Sequence, residues 1–483
     1  MKHRVRAFLY ACAGALLSAC AIGPNYHKPA LTPAPGFKEL GDWKPSEPGD
    51  ALNRGAWWEI YHDDVLSKLE SQIEISNENV KAAAAAYEES LALLSQARAG
   101  YWPTVSVNAA RTRSVTGTSA GIGSGVGAGT GSGFATPGRP QTTNSIGARA
   151  DWNIDVWGQI RRSAESSRAS AQASEAALAS AKLSAQAQLA TAYFELCAQD
   201  QLQTILNDIV EAQQASLKIT ENRYRVGVAA KADVVSAQTQ LLSSQSEQIN
   251  AGIGRATLEH AIAVLVGQEP ANFSQGPAGI RTDVPTVPTG VPSALLERRP
   301  DIAEAERKVA AANAQIGVAE TAFFPSLTLS GSDDYTAGTI SKLLRASNRV
   351  WSFGPALAET IFDGGLRRAQ VRAAKAEYEI SVDNYRQTVL SGFQDVEDQL
   401  VTLRVLEKQA AIEDQAVKAA REAETLTLNQ YKAGTVPYSS VISAQTARLN
   451  AEQTALNVLS NRLTASVALI EDLGGGWDTA QMK

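Results

Sequence analysis

Few side chains in this 483-residue chain stand at spacings that support chemistry. The clearest is Cys20. Lys2, Arg4 and Arg6 form a basic start, Ala7 to Leu17 an apolar run, and Leu17-Ser18-Ala19-Cys20 closes the segment. Residues 1–19 are the expected signal peptide, with a thiol at its junction. Cys12 is lost with that leader. Cys197 then stands alone, so no disulfide framework is expected, and its helical surroundings make it a small packed residue. His3, His27, His62 and His260 are scattered, with no HExxH or CxxC spacing, so no metal site is expected. The Gly-rich run from Thr116 to Thr143 lacks a following Gly-Lys-Ser/Thr, which leaves a flexible loop rather than a phosphate cradle. Met occurs only at Met1 and Met482, so a methionine-lined copper path is unsupported. No Ser/His/Asp set is recognisable. No cofactor is expected, and an enzyme is the least expected class.

The Leu17–Cys20 stretch resembles the lipobox of bacterial lipoproteins, which implies that the Cys20 thiol takes up a diacylglyceryl group as a thioether before cleavage, so Cys20 is the expected lipidation site. Ala21 follows the cysteine, not the Asp that retains enterobacterial lipoproteins in the inner membrane, so outer-membrane sorting is favoured. A lipid-bearing residue anchors a chain but does not span a bilayer. Formal net charge is −6 with both signs interspersed and no basic run, which argues against nucleic acid as a partner. No run of eighteen apolar residues occurs beyond the leader, so any membrane crossing must use strands.

A stretch that occurs twice organises the remainder. Arg223-Tyr224-Arg225-Val226-Gly227 continues through Ala237-Gln238-Thr239, and Gln430-Tyr431-Lys432-Ala433-Gly434 continues through Ala444-Gln445-Thr446. Both keep one offset, 434 − 227 = 207, which Gly267 and Gly474 share. In each copy helix-forming sequence runs in, a Gly stops it, and helix-forming sequence runs out. Gly tolerates the left-handed backbone that a tight reversal needs, so each copy predicts the tip of a long helical hairpin.

The repeat extends upstream. Residues 20–64 hold several prolines and predict an extended tether. Val65 to Tyr101 is helical in pattern, and Trp102-Pro103 ends it. Residues 104–115 alternate, with Val105, Val107 and Ala109 on one side and Thr104, Ser106 and Asn108 on the other, which predicts a strand with two unlike faces. Residues 144–155 predict the return strand. The same order recurs after a linker at 271–294: Leu295 to Ile302 opens a helix with Pro300 in its first turn, the helix ends at Phe323-Phe324-Pro325, and strands are expected at about 326–336 and 350–362. Pro103 and Pro325 pair at 325 − 103 = 222, so the first strand pair carries the longer loop. Two repeats follow, 65–270 and 295–474, with a tail at 475–483.

Helix lengths supply a second constraint. Gly158 to Asn222, without Pro, spans about 97 Å as a helix, against about 58 Å for Val228 to Val266 and about 55 Å for Val65 to Tyr101. One long helix thus matches two shorter ones stacked end to end. Apolar steps of three and four, such as Leu456, Leu459, Leu463, Val467 and Ile470, carry coiled-coil spacing. The fold class expected is mainly α with a membrane β-barrel portion. Four strands cannot close a membrane barrel, and an open edge cannot persist in lipid. Either the sheet is soluble or several chains share one barrel; the lipid anchor favours the second, and two chains would give eight strands, three would give twelve.

The lipobox, Ile22-Gly23-Pro24-Asn25-Tyr26, the Glu297–Ile302 stretch, Ile361-Phe362-Asp363-Gly364-Gly365 and the doubled Tyr-x-x-Gly tips together resemble the outer membrane factor (TolC-like) family. The resemblance is to its lipoprotein efflux ducts, similar to NodT and OprM, and covers essentially the whole chain. It implies a homotrimer with a shared twelve-stranded outer-membrane barrel continued by a long α-helical periplasmic barrel. It also implies two partners, a periplasmic adaptor and an inner-membrane RND transporter, and a passive exit path for drugs or other small molecules. The helical tips, with Tyr224, Gly227, Tyr431 and Gly434, would form the periplasmic end.

Similar ducts place acidic residues just after the second tip; here Ser440, Ser443 and Thr446 occupy those positions. The first copy keeps Asp233, with Lys231 nearby. Three Asp233 side chains ringing a closed pore are one expectation. A carboxylate that only complements the start of a helix is the other. Two further functional classes remain at this point, an exit duct beside an ABC pump and a structural coiled-coil lipoprotein of the envelope.

Overall fold

The structure is a computed structural model that describes residues 21–31, 35–40, 56–115, 140–287, 297–477 and 482. The leader, Cys20, most of the Gly-rich loop, part of the linker with Leu295 and Leu296, and most of the tail lie outside the described residues. In chain order the main elements are α1 (Asp64–Ser76), α2 (Glu78–Ala99), β1 (Thr104–Ser114), β2 (Gln141–Asn153), α3 (Gln159–Arg225) and α4 (Lys231–Leu265). There follow α5 (Pro300–Thr321), β3 (Ser326–Ala337), β4 (Arg349–Ala358), α6 (Leu366–Ala433) and α7 (Tyr438–Asp472).

Residues divide into two compact units, and each unit draws on both repeats. One comprises 1–27, 92–168 and 310–379; the other comprises 28–91, 169–309 and 380–483.

The first unit holds the sheet, a four-stranded antiparallel meander in the order β1-β2-β3-β4. Its registers align the alternation of all four strands. Val105, Ala150, Gly331 and Phe353 stand in one row, and Ser106, Arg149, Ser332 and Ser352 in the next. Successive side chains point to opposite faces, so one face gathers Val107, Trp152, Leu329 and Leu357 while the other gathers Asn108, Asp151, Ser330 and Asp334. On the polar face Arg149 Nε lies 2.7 Å from Asp151 Oδ2.

The two return strands stop short of the sequence expectation, and for one reason; β2 also starts earlier than expected, at Gln141 rather than 144. The strand expected to 155 stops at Asn153, and the one expected to 362 stops at Ala358. Each is followed by a carboxylate that caps the next helix. Asp155 accepts from the Ile160 and Arg161 amides at 3.1 and 2.9 Å. Asp363 accepts from the Gly365 and Arg367 amides at 2.9 and 3.2 Å. The Arg367 side chain, then those amides, hold the Asp363 carboxyl down at about 2. Helix starts leave free N–H donors, and a side-chain acceptor satisfies them.

The second unit holds the main core. Trp57, Tyr61, Leu66, Ile73, Leu189, Phe194, Ile262, Leu463 and Ile470 are buried together. Tyr61 Oη and Ser466 Oγ are 2.7 Å apart within it. Cys197 is buried here as a free thiol, and burial first of all pushes it up to about 12, which leaves it inert.

Val65 to Tyr101, expected as one helix, is broken at Asn77. That residue has extended backbone (φ −65°, ψ 122°). Its Oδ1 accepts from the Asn79 and Val80 amides at 3.0 and 3.1 Å, starting α2 afresh, and its Nδ2 donates to the Leu265 carbonyl at 2.8 Å. A matching joint occurs in the second repeat, where Arg299 Nη1 donates to the Asp472 carbonyl at 3.3 Å. The positions correspond, since 299 − 77 = 222 and 472 − 265 = 207. In both joints a left-handed glycine sits against the partner backbone: a Cβ on Gly267 would lie 2.2 Å from the Ser76 carbonyl oxygen, and one on Gly474 2.0 Å from that of Arg298. Only glycine fits such an approach.

Candidate functional site

The two tips have the same backbone for the same reason. In the first, Gly227 takes φ 77°, its N–H reaches the Tyr224 carbonyl at 2.9 Å, and the Val228 N–H reaches Arg223 at 2.8 Å. In the second, Gly434 takes φ 81°, its N–H reaches Tyr431 at 2.9 Å, and the Thr435 N–H reaches Gln430 at 3.0 Å. A left-handed glycine after the last helical turn, with the next amide folding back, satisfies carbonyls that the helix end leaves open. Each reversal then launches a new helix, α4 at Lys231 and α7 at Tyr438.

The side chains at equivalent positions differ, and the differences join the two tips. Arg223 stands where the second copy has Gln430, since 430 − 223 = 207, and Tyr438 where the first has Lys231, since 438 − 231 = 207. Arg223 Nη1 donates to the Lys432 carbonyl at 2.8 Å, and its guanidinium lies 4.8 Å from the centroid of the Tyr431 ring. Tyr431 packs edge-on against Tyr438 at 5.2 Å and donates through Oη to Thr220 Oγ1 at 3.3 Å. Ala237 and Val441 complete a buried cluster, and one turn further along Gln445 Nε2 donates to Ser216 Oγ at 3.2 Å. Burial, then Tyr431 and the Asp233 carboxylate, push the Tyr438 hydroxyl up to about 12. It therefore stays protonated and neutral at every physiological pH.

The residues expected from the sequence separate into two groups. Tyr431 is buried inside the cluster, and Asp233 is half-buried in the first turn of α4 with its charge felt at Tyr438. Tyr224, Lys231 and Ser443 are exposed, Gly227 and Gly434 form the turns, and Ser440 is half-buried in the first turn of α7. Arg223, Thr220, Tyr438 and Gln445 carry the contacts between tips without having been singled out. Their signal is present in the sequence: Arg223 and Tyr438 are places where otherwise matched copies depart from each other. Among the described residues no group of His, Cys, Asp and Glu is arranged to hold a metal ion, and no helix is long and apolar enough to cross a membrane.

An amphipathic four-stranded meander, paired helical hairpins and a doubled tip are features of one architecture. The family model described as outer membrane efflux protein matches residues 69–268 and 291–475. The chain belongs to that family. It is 27% identical over 472 residues to TtgC of Pseudomonas putida, a probable efflux pump outer membrane protein, covering 96% of this chain and 94% of that one. It is 29% identical over 441 residues to nodulation protein T of Rhizobium leguminosarum bv. trifolii, covering 89% of each. Among solved structures, the outer-membrane channel OprN matches with a TM-score of 0.85 and 28% identity over 95% of this chain and all of that one. The fold is thus that of TolC-like channels, and the protein is an outer-membrane efflux channel with a periplasmic helical extension.

Proposed function

We propose that the protein works as a homotrimer, in which three four-stranded sheets pool into one twelve-stranded barrel and give a passive exit for drugs or other small molecules. A periplasmic adaptor and an inner-membrane RND transporter deliver the cargo, and the chain itself performs no catalysis. The amphipathic sheet carries this reading. Its mainly apolar face suits lipid and its polar face suits a water-filled lumen, while the outer edges of β1 and β4 have no strand partner among the described residues. Backbone groups on an open edge cannot remain unpaired in hydrocarbon. Four strands per chain also keep alternating directions when β4 meets β1 of the next copy, so closure introduces no parallel pair.

The helical tips form the periplasmic mouth and hold it shut through the Arg223–Tyr431–Tyr438 cluster, with Asp233 beside it contributing charge to the pore. Cys20 carries the lipid. Reconstitution in planar bilayers tests the channel: purified protein should give stepwise ionic conductance, and its absence from correctly folded, inserted protein would defeat the proposal. The same recording on a protein with the strands intact separates a duct from a structural coiled-coil lipoprotein, which would conduct nothing.

A further inference from the structure

The Ile22–Asn25 motif follows the lipidation site and, by its prolines, reads as the start of a slack tether. The structure shows it strapped down. The Ile22 N–H donates to the Trp157 carbonyl at 3.1 Å. Arg162, in the first turn of α3 and only 3% exposed, spends its guanidinium almost entirely on this segment. Its Nε donates to the Ile22 carbonyl at 3.1 Å, and its Nη2 to the Gly23 carbonyl and to Asn25 Oδ1, both at 3.0 Å. Nη1 binds Glu165 Oε2 at 2.8 Å, which balances the buried charge. From α5, Asn313 Nδ2 donates to the Pro24 carbonyl at 3.0 Å. Three consecutive carbonyls are thus each met by a buried side-chain donor, a degree of satisfaction unlike that of a loose linker.

The close fit is built into the backbone as well. Gly23 takes φ 97°, and a Cβ there would fall 2.4 Å from the Gly317 Cα; a Cβ on Gly317 would fall 2.9 Å from the Ile22 carbonyl oxygen. Beneath the strap, the Trp157 ring lies 4.9 Å from that of Phe324, and its Nε1 donates to the Pro325 carbonyl at 2.7 Å. These aromatics sit where the strands pass into the helices, within the same compact unit.

We infer that Arg162 is a positioning residue for the lipid anchor: by clamping residues 22–25 it fixes where the acylated N-terminus enters the membrane. Cys20 precedes Ile22 by two residues in the sequence, so a clamp on residues 22–25 acts next to the lipidation site. A slack tether would hold the protein to the leaflet without setting its depth. A strapped one makes the anchor and the barrel insert in register. The inference rests on the reading that Cys20 carries the lipid.

The test uses the full-length protein purified from outer membranes, as wild type, Arg162→Ala and Arg162→Lys. Hydrogen exchange reads the Ile22 amide, intact-peptide mass reads the lipid on Cys20, and a nitroxide on His27→Cys reads distances between copies. Wild type should show a slowly exchanging Ile22 amide and a narrow distance distribution. Arg162→Ala should exchange about tenfold faster or more, as loss of charge-assisted hydrogen bonds implies, with a broadened distribution and the lipid retained. Arg162→Lys, with the charge but not the planar fork, should fall between. An Ile22 amide that exchanges freely in wild type, or at one rate in all three proteins, overturns the clamp even if Arg162→Ala folds poorly. An unmodified Cys20 overturns the lipid reading instead, and the Ile22 amide still reports the strap separately.

Discussion

Glu70 is the most exposed to physical argument of all the single residues. It lies on α1 between Leu66 and Ile73, fully buried, and neither carboxyl oxygen has a hydrogen-bond partner. Burial pushes its carboxyl up to about 9, so it is neutral at pH 7. A pKa raised on folding means that the folded state holds the proton more tightly. That stability is fully present below the unfolded value of 4.5 and is lost as pH rises towards 9. Glu70→Gln should remove this dependence, matching the wild type below pH 4.5 and exceeding its stability at neutral pH, read as thermal dissociation of the oligomer across the pH range. The sequence carried the clue, a carboxylate within an apolar stripe at positions 66, 69 and 73, but spacing does not reveal that no partner reaches it. Asp472 behaves alike. Burial raises it to about 7, opposed by Arg299 and supported by Asp395, Glu471 and Asp301. Its contribution is present below 3.8 and lost as pH rises through about 7. Arg299 binds Asp301 at 2.8 Å and Asp395 at 3.4 Å, so Arg299→Ala leaves several carboxylates facing one another. It should cost about 3 kcal/mol, as broken buried ion pairs do, and move the alkaline loss to a higher pH.

At the scale of elements, the joints and the tips hold the helices to one another. Asn77 serves two helices at once, capping α2 and meeting the Leu265 carbonyl at the end of α4. Asn77→Ala should lower stability by about 1–2 kcal/mol, the cost of a lost cap plus a stranded carbonyl, measured by the same dissociation assay. The break at Asn77 was hidden in the sequence because Ser76-Asn77-Glu78 is compatible with continuous helix; only the approach of Gly267 and Leu265 makes a reset there favourable. At the tips, Arg223→Ala removes both the hydrogen bond to Lys432 and the contact with Tyr431. The closed conformation should lose about 1–2 kcal/mol, seen as a severalfold higher open probability in planar bilayers. Asp233→Ala tests the neighbouring charge: reduced cation preference supports a ring of carboxylates in the pore, and unchanged conductance and selectivity reject it. The turns themselves were legible from the doubled Tyr-x-x-Gly. The lock between them was not, because it depends on Arg223 and Tyr438, the positions at which the repeat is imperfect.

At the scale of the molecule, the sheet decides the assembly. Alternation in 104–115 and 326–336 announced two-faced strands, and the registers unite those faces into one polar surface and one that is apolar except where Asp333 pairs with Arg349 and Arg111 and Arg113 stand. What one chain's sequence leaves open is the number of copies, because backbone edges carry no side-chain code for how many sheets meet. Native mass spectrometry of the detergent-purified, lipidated protein tests the pooling of strands most directly. The account predicts a single dominant species of three mature chains, each bearing its lipid. A monomer or a dimer as the dominant species would contradict it.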